Sequence, residues 1–170
     1  MGVAGSGKST IGEQLAARLG WVYEDGDKFH PASNVAKMSA GQPLTDEDRW
    51  PWLEAIAGEI DRLCAVGERM VIACSALRRV YRDILVHGRN DVRLVYLDGT
   101  QKLIADRIGQ RKGHFMPPGL LASQFKTLEP PAGDEHPLTV PIDAPVEAIV
   151  DAIVRQLELG PPSPPHRNRT

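Results

Sequence analysis

Cysteine is scarce in this chain. Only Cys64 and Cys74 occur in 170 residues, not as a CxxC pair, and they suggest no disulfide framework. Cys74 lies in an apolar run and reads as a buried, inert thiol. A surplus of one charge is also missing. Twenty Lys and Arg stand against 22 Asp and Glu, for a net charge of −2. That balance argues against nucleic acid or an anionic membrane as the main partner. An anionic small molecule is still admissible, because a site needs only a local cluster of cations. No apolar run approaches the roughly 18 residues that a membrane helix requires. No Cys and His cluster has zinc spacing, no internal repeat is visible, and no signal peptide is expected ahead of a motif that begins at Gly2. The default location is the cytoplasm.

What is present is ordinary for a globular protein, with 42% hydrophobic and 25% charged residues. A chain of this length makes one domain that buries roughly two-thirds of its unfolded surface. Residues 7–19 read as a helix, with Ile11, Leu15 and Leu19 recurring every fourth position and Gly20 as the stop. Residues 21–24 are β-prone. A short helix over 31–40 precedes a long one reaching about Ala65, capped by Thr45 or Asp46, with Trp52, Ile56, Ile60 and Leu63 on its inner stripe. Residues 70–74 form a continuous apolar run, as a strand buried on both faces should. Helices at 79–86, 101–110, 120–128 and 146–157 alternate with strands at 92–97 and 138–142. This order indicates an α/β domain over residues 1–159, with a parallel sheet between helical layers. The proline-rich stretch 160–170 reads as a disordered tail.

The strongest motif is Gly2-Val3-Ala4-Gly5-Ser6-Gly7-Lys8-Ser9, which fits G-x-x-x-x-G-K-[ST] at every specified position. Glycines let successive backbone N–H groups turn inward onto phosphate oxygens. The following helix adds its positive N-terminal end. Lys8 can reach the β- and γ-phosphates, and the Ser9 hydroxyl can ligate Mg²⁺. A chance match arises in well under roughly 1% of chains this long. Residues Gly2, Val3, Ala4, Gly5, Ser6, Gly7, Lys8, Ser9 and Thr10 are therefore the candidate nucleotide site, with ATP and Mg²⁺ as the implied cofactors. A loop of this kind normally hangs from a buried central strand, yet only Met1 precedes Gly2. Loss of that strand would leave neighbours unpaired and a hole in the core. The expectation is a start placed at an internal methionine, and a 170-residue chain that is poorly stable and nearly inactive until upstream apolar residues are added.

Asp25-Gly26-Asp27 follows the second expected strand, at the edge where parallel sheets bind ligands. A DxD turn alone is common on solvated surfaces. Its place after a phosphate loop and a strand favours two roles: Asp25 toward a metal-bound water, and Asp27 toward the hydroxyl that attacks the phosphate.

From here the chain resembles the gluconokinase family. The resemblance rests on Asp25-Gly26-Asp27-Lys28-Phe29-His30-Pro31, on Asn34, Lys37-Met38, Gly41-Gln42-Pro43-Leu44, Asp46, Asp48-Arg49 and Pro51-Trp52-Leu53. It continues through Cys74-Ser75-Ala76-Leu77-Arg78-Arg79 with Tyr81-Arg82, and Arg111-Lys112-Gly113-His114-Phe115-Met116-Pro117. It ends with Ser123-Gln124-Phe125, Leu128-Glu129 and Pro141-Ile142-Asp143. These runs span nearly the whole chain outside the tail. The resemblance implies ATP- and Mg²⁺-dependent phosphorylation of gluconate at its terminal hydroxyl. It also implies a P-loop fold like that of shikimate kinases: a five-stranded parallel sheet, a substrate-binding helical segment near 28–66 and a lid near 111–119. A homodimer is compatible with it. The missing first strand is the one clear departure.

A sugar-acid kinase must grip a carboxylate and offset charge on the moving phosphoryl group. Arginine matches a carboxylate bidentately. Arg78 and Arg82, four apart, are expected to share a face beside the ligand edge as substrate anchors, with Arg49 a third. Arg107, Arg111, Lys112 and His114 gather at a helix end and in the loop beyond, where cations also serve as plain dipole complements. As lid groups, Arg107 and Arg111 would close onto the transferring phosphate and His114 onto the substrate. Trp21 and Trp52 read as packing residues, while His30 is divided between shaping its turn and touching substrate. Two other readings stay open: a kinase of another small metabolite, such as shikimate or a nucleoside, and a nucleotide-binding module without transfer activity.

Overall fold

Short apolar runs between amphipathic helices fold here into two pairs of parallel strands. The computed structural model describes residues 1–86, 88–110 and 118–159. The expectations for Arg111, Lys112 and His114 in the lid, and for the tail at 160–170, lie outside the described residues.

Helix α1 (Lys8–Leu19) starts at Gly7 and stops at Gly20, whose N–H returns to the Ala16 and Ala17 carbonyls. Strand β1 (Val22–Asp25) leads into a 3-10 turn (Gly26–Phe29). Two helices follow, α2 (Ala32–Ser39) and α3 (Asp46–Val66). Thr45 caps α3: its hydroxyl accepts from the Asp48 N–H while the Asp48 carboxylate accepts from the Thr45 N–H at 2.9 Å. Strand β2 (Met70–Ala73) and helix α4 (Arg79–Val86) come next. Strand β3 (Val95–Asp98), helix α5 (Gln101–Gln110), helix α6 (Pro118–Thr127), strand β4 (Leu138–Pro141) and helix α7 (Val146–Gln156) complete the order. None of the described helices is long and apolar enough to cross a membrane.

β1 pairs in parallel with β2, setting Tyr23 opposite Val71 and Asp25 opposite Ala73. β3 pairs in parallel with β4, setting Leu97 opposite Val140. Met1 and Gly2 lie between the two pairs. The Met1 α-amine donates to the Val95 carbonyl at 2.5 Å, and the Leu97 N–H donates to the Met1 carbonyl at 3.0 Å. On the other side, the Gly2 N–H donates to the Ser75 carbonyl at 3.2 Å. The order across the molecule is thus β1, β2, residues 1–2, β3, β4. Four strands form among the described residues, and residues 1–2 stand where the first strand, expected to be largely missing from this chain, would lie. The α-amine is buried there, and desolvation pushes its pKa down to about 5.

Two apolar clusters hold the layers. One joins Leu15 and Leu19 of α1, Leu97, Ile104, Ile142 and Ile149. The other joins Trp52, Leu53 and Ile56 of α3 with Cys74, Tyr81 and Leu85. Each fully buried Leu or Ile contributes about 1.5–3 kcal/mol. Two expectations need correction. β2 is only half-buried until Ala73, not covered on both faces. β3 starts three residues later than its apolar run, because the Val92 N–H turns back to the Arg89 carbonyl and the Arg93 guanidinium holds the Asn90 and Val92 carbonyls.

Candidate active site

Gly7 ends the phosphate loop with φ 92°, a left-handed conformation that a β-carbon disfavours, and so aims the first turn of α1 into the loop. Gly5, Gly7, Lys8, Ser9 and Thr10 line a cleft of about 110 Å³ there, on the scale of a phosphate group. Lys8 folds back so that its Nζ donates to the Val3 carbonyl at 3.0 Å. Burial pushes its pKa down, and the nearby charges of Asp27 and Asp25 work against that shift. Both carboxylates are thus near enough for their charge to act on the ammonium. The Ser6 hydroxyl is fully buried in the loop, and among the described residues no protein group bonds to it. The Ala4 N–H donates to Gln124 Oε1 at 2.6 Å, which ties the loop to α6.

The acidic turn is built tightly against β2. A β-carbon at Gly26 would lie 2.8 Å from the Ala73 carbonyl, so only glycine fits between the two aspartates. Asp25 Oδ1 accepts from the Asp27 N–H at 3.0 Å and caps the 3-10 turn. The Asp27 side chain is 81% exposed, at the mouth of the site. Beneath it, Trp52 Nε1 donates to the Gly26 carbonyl at 2.7 Å. Trp52 is thus a buried packing residue, as its sequence context suggested.

The arginines divide into three groups. Arg49 and Arg78 converge. Both guanidinium groups lie over the Tyr81 ring, at 5.8 and 5.6 Å, and both approach Asp46. Arg49 also donates to the Leu44 carbonyl, and the Tyr81 hydroxyl donates to Asp46 Oδ1 at 2.5 Å. The bonds from Tyr81 and then Arg78 hold the Asp46 pKa below its usual range. Arg82 corrects an expectation. Its side chain is 2% exposed, forked onto Glu135 at 2.5 and 3.0 Å, and bonded to the Ala76 and Leu77 carbonyls. A guanidinium so enclosed offers no face to a substrate; it braces the turn that carries Arg78, where Ala76 adopts φ 44°. Arg107, on α5, donates to the Ile142 carbonyl, and α5 lies against the phosphate loop, where a β-carbon at Gly5 would meet Ile108 at 2.7 Å. A separate cleft of about 650 Å³ is lined by Arg79, Arg89, Arg93 and His136. There Arg79 is paired with Asp134 and Arg89 with Asp61, and none of its lining residues belongs to the phosphate loop or the acidic turn.

The shikimate kinase family model matches residues 4–126. A probable gluconokinase of Mus musculus is 46% identical, over 84% of this chain and 87% of its own length. The thermosensitive gluconokinase of Escherichia coli (strain K12) is 50% identical, over 79% of this chain and 72% of its own. The chain belongs to the gluconokinase family. A crystal structure of a gluconokinase from Sinorhizobium meliloti superposes with a TM-score of 0.84 at 43% identity, covering 93% of this chain and 89% of that one. Gluconokinases thus share the fold seen here, within the shikimate-kinase-like P-loop class.

For a gluconokinase the metal question is one of fit. Among the described residues, no group of three or more His, Cys, Asp or Glu is placed to hold a cation. Mg²⁺ commonly binds through one or two carboxylates and the substrate's phosphates; Ser9 lines the 110 Å³ cleft and Asp25 ends β1, and such oxygens would suit the ion. Two functional contacts escaped the sequence reading. Gln124 meets Ala4 from 120 positions away, a pairing that no periodicity signals. The sequence offered Thr45 or Asp46 as the helix cap; Thr45 takes that role and leaves Asp46 free for Arg78, a pairing the sequence did not signal.

Proposed function

We propose that this chain transfers the γ-phosphate of ATP to the 6-hydroxyl of gluconate, giving 6-phosphogluconate. The observation that carries the reading is the phosphate-sized cleft lined by Gly5, Gly7, Lys8, Ser9 and Thr10, with Asp27 and Asp25 near enough for their charge to act on Lys8. Backbone N–H groups from Gly5 to Ser9 cradle the phosphates, and the helix end behind them favours negative charge. Lys8 exchanges the Val3 carbonyl for a phosphate oxygen, a small side-chain movement. Ser9, and Asp25 through a water, would hold Mg²⁺ with the nucleotide, and the ion would supply charge that offsets the build-up on the phosphates. Asp27 orients the acceptor hydroxyl and takes its proton. Arg78 and Arg49 hold the sugar-acid carboxylate at the Tyr81 face, displacing part of their pairing with Asp46. Arg111 and His114 act from the lid, and the reaction runs in the cytoplasm. Arg107 and Arg82 act as braces.

The test is ADP release with gluconate, shikimate and a nucleoside, each against an ATP-only blank. Turnover with gluconate alone supports the reading. Turnover with shikimate or the nucleoside, or ATP binding without any turnover, contradicts it.

A further inference from the structure

His30 is buried where the mechanism above gives it nothing to do. Its side chain is only 5% exposed, and its ring stacks on Trp52 with centroids 4.2 Å apart and planes 15° from parallel. Stacking fixes the plane of the imidazole, so its two nitrogens point in set directions. Nδ1 faces Asn34 Nδ2 at 3.2 Å, and Nε2 faces Asp27 Oδ1 at 3.9 Å.

Which nitrogen carries the proton follows from the neighbours. Asn34 is 1% exposed, and its Nδ2 lies 2.7 Å from the Asp48 carbonyl oxygen. A carbonyl can only accept, so the amide must turn its NH₂ toward Asp48. The second hydrogen of that NH₂ then points at His30 Nδ1. Nδ1 must accept, and in a neutral ring the proton belongs to Nε2. Asp48 is itself held by Lys37 Nζ at 2.6 Å and by the Thr45 cap, so the start of this chain of bonds is rigid. Burial keeps the ring neutral by pushing its pKa down, against the charge of Asp27. The Nε2–H is thus a fixed donor aimed at the carboxylate assigned to the acceptor hydroxyl.

We propose that His30 is a positioning residue, its Nε2–H donating to one oxygen of Asp27 so that the other is turned toward the acceptor hydroxyl. At 3.9 Å the bond is not made in the ligand-free chain. Rotation of the exposed Asp27 carboxylate closes the gap, because the turn backbone is already held by Asp25 below and by the His30 N–H above, at 3.3 Å to the Asp27 carbonyl. Such tightening on substrate binding is usual for groups that act in catalysis. The inference rests on Asp27 having the role given above.

The test combines ring ¹⁵N NMR of the full chain with kinetics of four variants. His30 in the ligand-free chain should show the Nε2–H tautomer at neutral pH. His30→Asn, which removes a donor at the ε position, should lower kcat about tenfold to a hundredfold, with KM for gluconate within about threefold. His30→Gln, whose amide nitrogen reaches that position, should recover most of the loss. In single-turnover assays, adding His30→Asn to Asp27→Asn should cost nothing further. The Nδ1–H tautomer would overturn the proposal, and this readout stands even if a variant fails to fold. Additive losses, a loss confined to KM, or equal losses in the Gln and Asn variants would overturn it too. A near-normal rate for Asp27→Asn alone removes the role of Asp27 and the proposal with it. An inactive Asp27→Asn beside an unaffected His30→Asn removes only the proposal.

Discussion

At the scale of single residues, the site depends on charges set against unfavourable surroundings and kept by their neighbours. Lys8 is desolvated yet lies near two carboxylates, so its charge is available to a phosphate without long-range rearrangement. Arg78 shows why residue type matters as well as charge. Its guanidinium spans Asp46 and Glu129 while lying over the Tyr81 ring, three contacts that need a planar fork. Arg78→Lys keeps the charge and loses the fork. It should raise KM for gluconate about tenfold or more while changing KM for ATP by less than about twofold. Equal changes in both constants would take Arg78 out of the sugar-acid site.

At the scale of elements, helix termini and turns do the placing. The Thr45–Asp48 capping box fixes the start of α3, which delivers Arg49 toward Tyr81 and Trp52 beneath the acidic turn. Thr45→Ala should cost about 1 kcal/mol of stability, visible as a lower urea midpoint with an unchanged slope. An unchanged midpoint would mean that the cap is redundant. The same elements show what was legible beforehand. Helices α1, α4 and α5 end within a residue of their expected limits, because apolar spacing and glycine stops are local signals. The phosphate loop and the DxD turn were legible for the same reason: their chemistry is written in consecutive residues. Arg82 was not. Four-residue spacing placed it beside Arg78, but the partner that encloses it, Glu135, is 53 positions away. The Arg107 bond was not legible either, since its acceptor is a backbone carbonyl beyond a distant strand end.

At the scale of the whole molecule, Met1 and Gly2 bridge the two strand pairs by backbone hydrogen bonds, and that junction carries a buried amine. The α-amine has a pKa of about 5 in the folded chain against 8.0 in the unfolded one. Between those values the unfolded state binds more protons, so stability is fully present above pH 8 and is lost as pH falls toward 5. The slope should reach about 1.4 kcal/mol per pH unit inside that window. His30, whose folded pKa is also lowered, adds to the loss below its unfolded value of 6.5. Urea unfolding at pH 6, 7 and 8 checks this. Apolar residues added ahead of Met1 would pair with both open edges and remove the buried amine, so the part of the slope between pH 7 and 8 should vanish in that variant. A flat profile in the unextended chain would contradict the burial of the amine.

The central claim, that the phosphate loop and the acidic turn act on one phosphoryl group, is tested most directly by following that group. The chain is incubated with gluconate, Mg²⁺ and ATP labelled at the γ-phosphate, and the label is traced. The account predicts label in 6-phosphogluconate, in step with ADP formed. Label appearing only as inorganic phosphate, or remaining in ATP, would contradict it.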